Sequence, residues 1–493
     1  MLVSLDTEEI CDSGGCWVGA DIARDIVETS ARGHGWSVLS NGRLAQISSV
    51  LEPYLPQEWS RTGLYLTVRW RFAVATVGSL IWFIVSVGLA EPWSAELSSV
   101  IGGLAAWLLI ALVALVPGFL NAHLLLSLML DRPKALPRLD WLPPVTVLVA
   151  AWNERDSLPD TVRSFARQRY PGHSALLIID DGSTDGTVDA LAEVRRLVPN
   201  VRVVIAPHRG KAAALNVGLA QVHTPIVVTI DADTALHPDA LRHLVTRLVT
   251  APADTAAVAG MVLARNSRTN LITRMQEWDY FLAMASVKRQ QALFQGTLVA
   301  QGAFSAYKTE ALENVSGWPN CVGEDIVLTW ALQKAGFRVG FEPSAVAFTS
   351  VPVEWGRFFR QRRRWARGMI EGLAAHGDML WRRPRLTGFF VLIDALFPLL
   401  DGAYSLVFLP GIALALLGHY YIAGPMTLLV IPIALLVTLA MLQRQSAVFG
   451  ELGLRIRQNR IGYFSYLISY QAILSPIALA GYIQEFLHFP KRW

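Results

Sequence analysis

The sequence predicts an α/β domain with a mostly parallel sheet, inserted between membrane-spanning α-helices. Three observations carry that prediction. Of the 493 residues, 53% are hydrophobic and only 17% are charged, against about 25% charged in an average soluble domain. The deficit is concentrated: residues 72–90, 98–130, 402–443 and 461–484 contain no Asp, Glu, Lys or Arg, and about 20 apolar residues in a helix cross a bilayer core. Between Asp131 and Arg385, by contrast, the composition is that of a globular domain, and short β-rich apolar runs alternate with segments of helical period. The length calls for two or more domains.

The membrane elements come first in the chain. Residues 1–65, with early acids at Asp6, Glu8, Glu9 and Asp12, form a region without an assignable role. Residues 72–90 lie too far from Met1, and run too long, to be a cleaved signal peptide. Arg61, Arg69 and Arg71 precede this stretch, the connection at 91–96 has no basic residue, and Arg132, Lys134 and Arg138 come next. The positive-inside rule therefore predicts a hairpin of two spans within 66–130, with both ends and the α/β domain in the cytoplasm. Arg382, Arg383 and Arg385, and later Arg444, Arg455, Arg457 and Arg460, are assigned to the same side, so an even number of spans lies between them. Residues 402–443 supply two, broken near Gly418 and Gly424-Pro425. Residues 386–401 carry Asp394 and Asp401 and are expected to be an interfacial helix. Residues 461–484 are a last span, leaving Lys491 and Arg492 outside. The expectation is five spans in a multi-pass protein of the inner (cytoplasmic) membrane: two in 66–130, the α/β domain at 140–352, interfacial amphipathic helices at 353–401, and three spans in 402–493.

Charge and cysteine content exclude other classes. The net charge is +4, from 43 basic and 39 acidic residues. That is too small for a nucleic-acid binder, and the basic residues sit mostly beside the apolar stretches. Cys11, Cys16 and Cys321 make neither a disulfide framework nor a zinc quartet.

Within the α/β domain, strands are expected at Val145–Ala151, 175–179, Val201–Ile205 and Ile226–Ile230. Helices are expected at 158–168, before Leu197, at 211–222, at 239–249 and at 326–334. The strands are near-continuous apolar runs, as strands buried on both faces should be, and ligands bind at the carboxyl ends of such strands. Those ends carry Ala150-Ala151-Trp152-Asn153-Glu154, Asp180-Asp181-Gly182-Ser183 and Asp231-Ala232-Asp233. Each loop alone has an ordinary explanation, because Asp and Ser cap helices and Asp-Gly makes turns. Together they crowd carboxylates on one rim, where a cation should compensate. Asp231 and Asp233 are hard oxygen ligands suited to Mg2+ or Mn2+, which one or two carboxylates plus substrate phosphates commonly hold. Lys211 opens a helix where it can meet a diphosphate. Glu324 and Asp325 open another, where the helix dipole alone favours acids but where Asp325 can also act as a general base. Gln361-Arg362-Arg363-Arg364-Trp365 lies just before the chain returns to the membrane, where arginines ordinarily meet lipid headgroups.

Four of these segments in order, Asp180-Asp181-Gly182, Asp231-Ala232-Asp233, Gly323-Glu324-Asp325 and Gln361…Arg364-Trp365, resemble the motifs of processive, membrane-embedded glycosyltransferases of family 2, with 35 residues between Asp325 and Gln361. The resemblance covers about 145–373 and implies a GT-A-like nucleotide-sugar-binding domain. By position it implies a UDP-sugar site at Ala151, Asn153, Glu154, Asp180, Asp181, Lys211, Asp231 and Ala232. It implies Mg2+ or Mn2+ on Asp231 and Asp233, Asp325 as the general base, and an acceptor and pyrophosphate site at Glu324, Gln361, Arg362, Arg364 and Trp365. The implied reaction extends a β-linked polysaccharide with inversion, coupled to export. The segments 301–308, 330–333 and 341–343 are most similar to poly-N-acetylglucosamine synthases, while Arg364-Trp365-Ala366-Arg367-Gly368-Met369 is also similar to cellulose synthases. Implied partners are the UDP-sugar, the growing polysaccharide, the lipid bilayer and, because five spans are few for a pore, a small membrane subunit or an oligomer. The rival readings are a non-processive transferase of one sugar to a lipid phosphate and a transporter with a nucleotide-binding domain.

Overall fold

The structure, a computed structural model, describes residues 66–132, 136–192, 198, 201–382, 386–424, 430–456 and 458–490. The expectations for residues 1–65, with Cys11 and Cys16, and for Lys134, Arg383, Arg385, Pro425, Arg457, Lys491 and Arg492 lie outside the described residues.

Two long helices open the described chain, α1 (Val68–Ile101) and α2 (Gly103–Leu130). Gly102 separates them at φ 84°, a left-handed backbone that glycine adopts at no steric cost. The two helices pack closely, and a Cβ on Gly78 would stand 2.6 Å from Leu126 Cδ1.

The α/β domain comes next. Its strands are β1 (Val145–Ala151), β2 (Ser174–Asp180), β3 (Val201–Ile205), β4 (Ile226–Ile230), β5 (Ala235–Leu236), β6 (Thr255–Ala264), β7 (Phe304–Lys308) and β8 (Arg338–Thr349). They form one sheet in the order β3-β2-β1-β4-β7-β6-β8-β5. Strands β3, β2, β1 and β4 are parallel neighbours, as are β6 and β8. The sheet is nevertheless mixed, because β7 runs antiparallel to both β4 and β6, and β5 antiparallel to β8. The principal helices of the domain are α3 (Leu158–Ala166), α4 (Lys211–Leu219), α5 (Ala240–Thr250), α6 (Leu271–Leu282), α7 (Thr309–Asn314), α8 (Glu324–Lys334) and α9 (Trp355–His376).

Strand alternation explains how the sheet is covered. Val145, Val147 and Val149 join Leu158, Val162 and Phe165 of α3 and Leu241, Leu244 and Leu248 of α5 on one face. Leu148 points the other way, into a cluster with Ala212 and Leu215 of α4, Leu312 of α7 and Leu328 and Leu332 of α8. Both faces are therefore dry, and the loops at the carboxyl ends of β1, β2 and β4 are left as an open rim.

Three further long helices complete the chain: α10 (Leu386–Leu416), α11 (Ile431–Glu451) and α12 (Arg460–Phe486). With α1 and α2 they are the five helices among the described residues that are long and apolar enough to cross a membrane. The boundary expected near residue 401 is not there. Residues 386–401 run on through a π-helical turn at Tyr404–Phe408 to Leu416 as one helix. Of the two acids that suggested an interface, Asp401 is satisfied inside the helix packing: Ser475 Oγ donates to Asp401 Oδ1 at 2.5 Å and Tyr482 Oη donates to Asp401 Oδ2 at 2.9 Å. A buried carboxylate with two hydroxyl donors does not require water.

Side-chain bonds join the α/β domain to these helices. Trp278 Nε1 donates to the Asn459 carbonyl at 2.9 Å, and Arg367 pairs with Glu485 at 2.8 Å. Arg289 pairs with Asp131, both side chains buried.

Candidate active site

The rim is assembled from the ends of three neighbouring strands. Ala151 pairs with Asp180 across β1 and β2, and the Ala151 carbonyl accepts the Asp181 N–H at 2.8 Å. Asn153 sits at φ 55°, a left-handed position that Asn tolerates better than most residues. Its N–H donates to Ser183 Oγ at 2.9 Å, and its Oδ1 accepts the Thr184 N–H at 2.9 Å. The loops after β1 and β2 are thus bonded to each other. The Glu154 N–H donates to Thr187 Oγ1 at 2.9 Å, and the Glu154 carboxylate accepts from Ser157. Burial, with repulsion from Asp231 and Asp185, pushes the Glu154 carboxyl up.

The two acids after β2 differ sharply. Asp181 is committed to the chain itself: Oδ1 accepts the Arg209 N–H at 2.9 Å, and Oδ2 accepts the Gly210 N–H at 2.9 Å and faces His208 Nδ1 at 2.8 Å. It fixes the loop that delivers Lys211 to the start of α4. Asp180 is 3% exposed; its Oδ2 accepts the Ser183 N–H at 3.3 Å, and its Oδ1 is buried without a hydrogen-bond partner. Trp152 stacks on His208 with ring centroids 4.5 Å apart. The sequence reading missed this stack, although both residues adjoin segments it singled out.

Beyond β4, Lys211 Nζ contacts Asp231 Oδ1 and lies 3.7 Å from Glu324 Oε1. Burial opposes its charge, but Asp231, Glu324 and Asp325 outweigh burial and hold the ammonium above its ordinary range. Gly302 makes room for it, since a Cβ there would stand 2.7 Å from Lys211 Nζ. Ala232 is buried and its carbonyl accepts from Thr161 Oγ1 at 2.8 Å. Asp233 Oδ1 accepts from Thr349 Oγ1 at 2.9 Å. Burial first, then Asp231 and Glu154, pushes Asp233 up to about 6.

No group of three His, Cys, Asp or Glu among the described residues could by itself hold a metal ion. Asp231 and Asp233 fit one all the same. Two carboxylates of one short loop, with the charge of Asp231 adding to the rise of Asp233, suit a divalent cation whose other ligands are substrate phosphates.

Asp325 lies in the first turn of α8. Its Oδ1 accepts the Ile326 N–H at 2.9 Å, and its Oδ2 accepts the Gly302 N–H at 3.4 Å. Glu324 beside it is buried, and burial and Asp325 push it up to about 7 against the pull of Lys211. Helix α9 is pressed onto this turn. A Cβ on Gly323 would stand 2.5 Å from the Gly368 Cα, and the Gly323 N–H donates to Glu371 Oε2 at 2.8 Å.

The residues of 361–365 divide. Trp365 is 41% exposed, and Arg364 is exposed and close enough for its charge to act on Glu324. Gln361 Oε1 is buried without a partner. Arg362 turns inward: Nη2 pairs with Asp279 at 2.7 Å, and its guanidinium lies 4.2 Å from the Trp365 ring centroid, with Tyr280, Phe358 and Tyr470 around it. The sequence motif could not distinguish these orientations. Sequence reading also missed Lys288, a buried lysine in a π-helical segment that donates to the Val299 carbonyl at 2.8 Å and to Gln301 Oε1. Burial pushes it down to about 7.

Residues 143–368 match the family described as Glycosyltransferase like family 2. The chain is 32% identical over 235 residues to a Poly-beta-1,6-N-acetyl-D-glucosamine synthase of Staphylococcus aureus (strain MSSA476), a match over 48% of this chain and 56% of that one. It is 31% identical over 230 residues to the Staphylococcus epidermidis protein of the same name, over 46% and 55%. The chain therefore spans about half the length of the curated relatives it matches. A mannosyltransferase from Pyrobaculum calidifontis, solved with GDP-Man and Mn2+, superposes with a TM-score of 0.51 at 19% identity, over 86% of this chain and all of that one. This likeness shows the fold, a GT-A-like mixed sheet. Residues 143–368 thus match glycosyltransferase family 2, in a chain homologous over about half its length to poly-N-acetylglucosamine synthases.

Proposed function

We propose that the chain is a membrane polysaccharide synthase that transfers N-acetylglucosamine from a UDP-sugar to the growing end of a β-linked polymer, with inversion and coupled to export. One observation carries the reading. Asp325 and the Asp231–Lys211–Glu324 cluster stand at one rim, and the helix bearing the exposed Trp365 is pressed against the Asp325 turn. Such an arrangement gives a donor diphosphate and an acceptor hydroxyl a place to meet.

In this reading the uridine lies over the 151–154 and 180–183 loops, with Asp180 Oδ1 accepting from the base. Asp181 holds the Lys211 loop and makes no substrate contact. Lys211 exchanges part of its bonding with Asp231 for the diphosphate when donor binds. Asp231 and Asp233 hold Mg2+ or Mn2+, which would neutralise charge on the departing UDP. Asp325 removes the proton from the acceptor hydroxyl as it attacks the anomeric carbon. Trp365 stacks on the terminal acceptor sugar, and Gln361 Oε1 accepts one of its hydroxyls. The domain faces the cytoplasm, where UDP-sugars are made, and the five long helices span the inner membrane.

The deciding experiment measures UDP release and product length with purified full-length protein, UDP-GlcNAc and UDP-glucose side by side, with Mg2+ or Mn2+. Turnover with UDP-GlcNAc giving long chains is expected. Preference for UDP-glucose would replace the donor and keep the site. A single sugar on a lipid phosphate would sink the polymerase reading.

A further inference from the structure

A cavity lies away from the rim, at the opposite end of α8. Its volume is about 1220 Å³. It is bounded by the first residues of α1 (Thr67, Val68, Arg69) and of α10 (Leu386, Thr387, Gly388). Both helices are long and apolar enough to cross a membrane, so the cavity sits at the depth of lipid headgroups if they do. Exposed Trp70 and Trp381 flank it in sequence, at 66% and 87% exposure, as aromatics flank a bilayer interface.

The lining is built for an anion with a hydroxyl. Arg69, Lys334 and Arg338 stand against one acid, Asp378. Lys334 is paired with Asp378 at 2.9 Å, and Arg338 with Asp254 at 2.8 Å and Gln295 Oε1 at 2.9 Å. The excess charge therefore falls at the Arg69 side. Gln333 also lines the cavity and is 6% exposed. Its Nε2 donates to the Thr297 carbonyl at 2.6 Å, while its Oε1 is buried and accepts no hydrogen bond. A buried acceptor without a donor is costly, and a ligand hydroxyl would satisfy it. Phe294, Phe337 and Met379 supply apolar wall.

We propose that this cavity binds a phosphate ester that carries a free hydroxyl, the headgroup of an anionic phospholipid. The phosphate meets Arg69, the hydroxyl donates to Gln333 Oε1, and the acyl chains leave between α1 and α10. The proposal rests on reading these helices as spans and is independent of the donor sugar. Because α8 runs from Glu324–Asp325 to Gln333–Lys334, occupancy would also brace the helix whose other end carries the acids of the rim.

The test uses the full chain in nanodiscs of phosphatidylcholine doped with phosphatidylglycerol, with retained lipid counted by native mass spectrometry. Phosphatidylglycerol is expected to be retained in preference, and Arg69→Glu to reduce its retention by roughly tenfold or more, because the reversal removes one basic group's attraction to an anionic headgroup and adds a repulsion. Gln333→Leu should reduce it as well; if that variant fails to fold, Arg69→Glu, at an exposed position, decides alone. Equal retention of both lipids, or undiminished retention in Arg69→Glu, overturns the lipid assignment. A second arm adds sn-glycerol 1-phosphate to delipidated protein in detergent. A rise in unfolding temperature that Arg69→Glu abolishes, without lipid preference in the first arm, would assign the site to a soluble phosphate ester. No effect in either arm overturns the site.

Discussion

Gly323 and Gly368 meet backbone to backbone, so that a Cβ on Gly368 would stand 2.8 Å from the Gly323 Cα. This contact presses the helix carrying Arg364 and Trp365 against the turn carrying Glu324 and Asp325. Neither residue has chemistry of its own, yet a side chain at either would drive the two halves of the rim apart. We expect Gly368→Ala to lower the transfer rate by about a hundredfold, the scale of a 1 Å misplacement, while UDP affinity stays near wild type. Steady-state UDP release and a UDP titration check this. Equal loss of both would mean general misfolding instead.

Asp325→Asn tests proton removal. The amide keeps the size and, through its one carbonyl oxygen, one of the two backbone bonds, but cannot act as a base. UDP release during turnover should fall by about 10²–10⁴-fold, with donor binding retained. Turnover within tenfold of wild type would assign the base elsewhere.

Trp365 and Arg362 should separate contact from positioning. Trp365→Ala removes the stacking face and should raise the acceptor KM more than it affects UDP binding. Arg362→Lys keeps the charge for Asp279 but loses the planar stacking on the indole. It should raise acceptor KM in the same direction, by less, with kcat nearly kept. Unchanged elongation by Trp365→Ala would remove the stacking role.

Lys288 makes a further pH prediction, since burial outweighs the pull of Asp325 on its charge. Burial lowers it to about 7 from 10.5. Between those values the unfolded chain holds a proton that the folded chain does not, so stability rises with pH across that window and the cost is greatest below it. Lys288→Met should therefore gain most relative to wild type near pH 7, and the gain should shrink toward pH 10. Thermal unfolding midpoints of both proteins across this range are the measurement. A pH-independent difference would show that Lys288 is charged in the fold.

Chelation should stop turnover, with Mg2+ or Mn2+ restoring it. Asp233→Asn should raise the metal concentration needed for half-maximal rate by more than tenfold, because it removes one of the two carboxylates aimed at the site. A metal requirement unchanged in Asp233→Asn would leave Asp231 alone as ligand.

Much of this protein is written in local sequence. The apolar stretches foretell the five long apolar helices found among the described residues, because length and hydropathy decide what can span a bilayer. The runs at Val145–Ala151, 175–179 and Ile226–Ile230 declare buried strands, and their ends place Asn153, Asp180 and Asp231 on one rim, because ligand loops of parallel strands share a side of the sheet. The chain beyond residue 255 was not legible in the same way. Strand β7 enters antiparallel between β4 and β6, and the helix from Leu386 runs past Asp401 because Ser475 and Tyr482, more than seventy residues away, satisfy its carboxylate.

The direction of each side chain was left to tertiary structure. Adjacent Asp180 and Asp181 look alike in sequence, yet one keeps a buried oxygen without a partner and the other is consumed by backbone donors of residues 209 and 210. Arg362 and Arg364 likewise part company, one buried against Asp279 and aromatic rings and one exposed. Sequence alone determined which chemical groups the chain owns and the order in which it presents them, because composition and periodicity are local properties. Only the packed structure decided which carboxylate is free and which lysine meets it, because hydrogen-bond partners distant in the chain compete for the same oxygen.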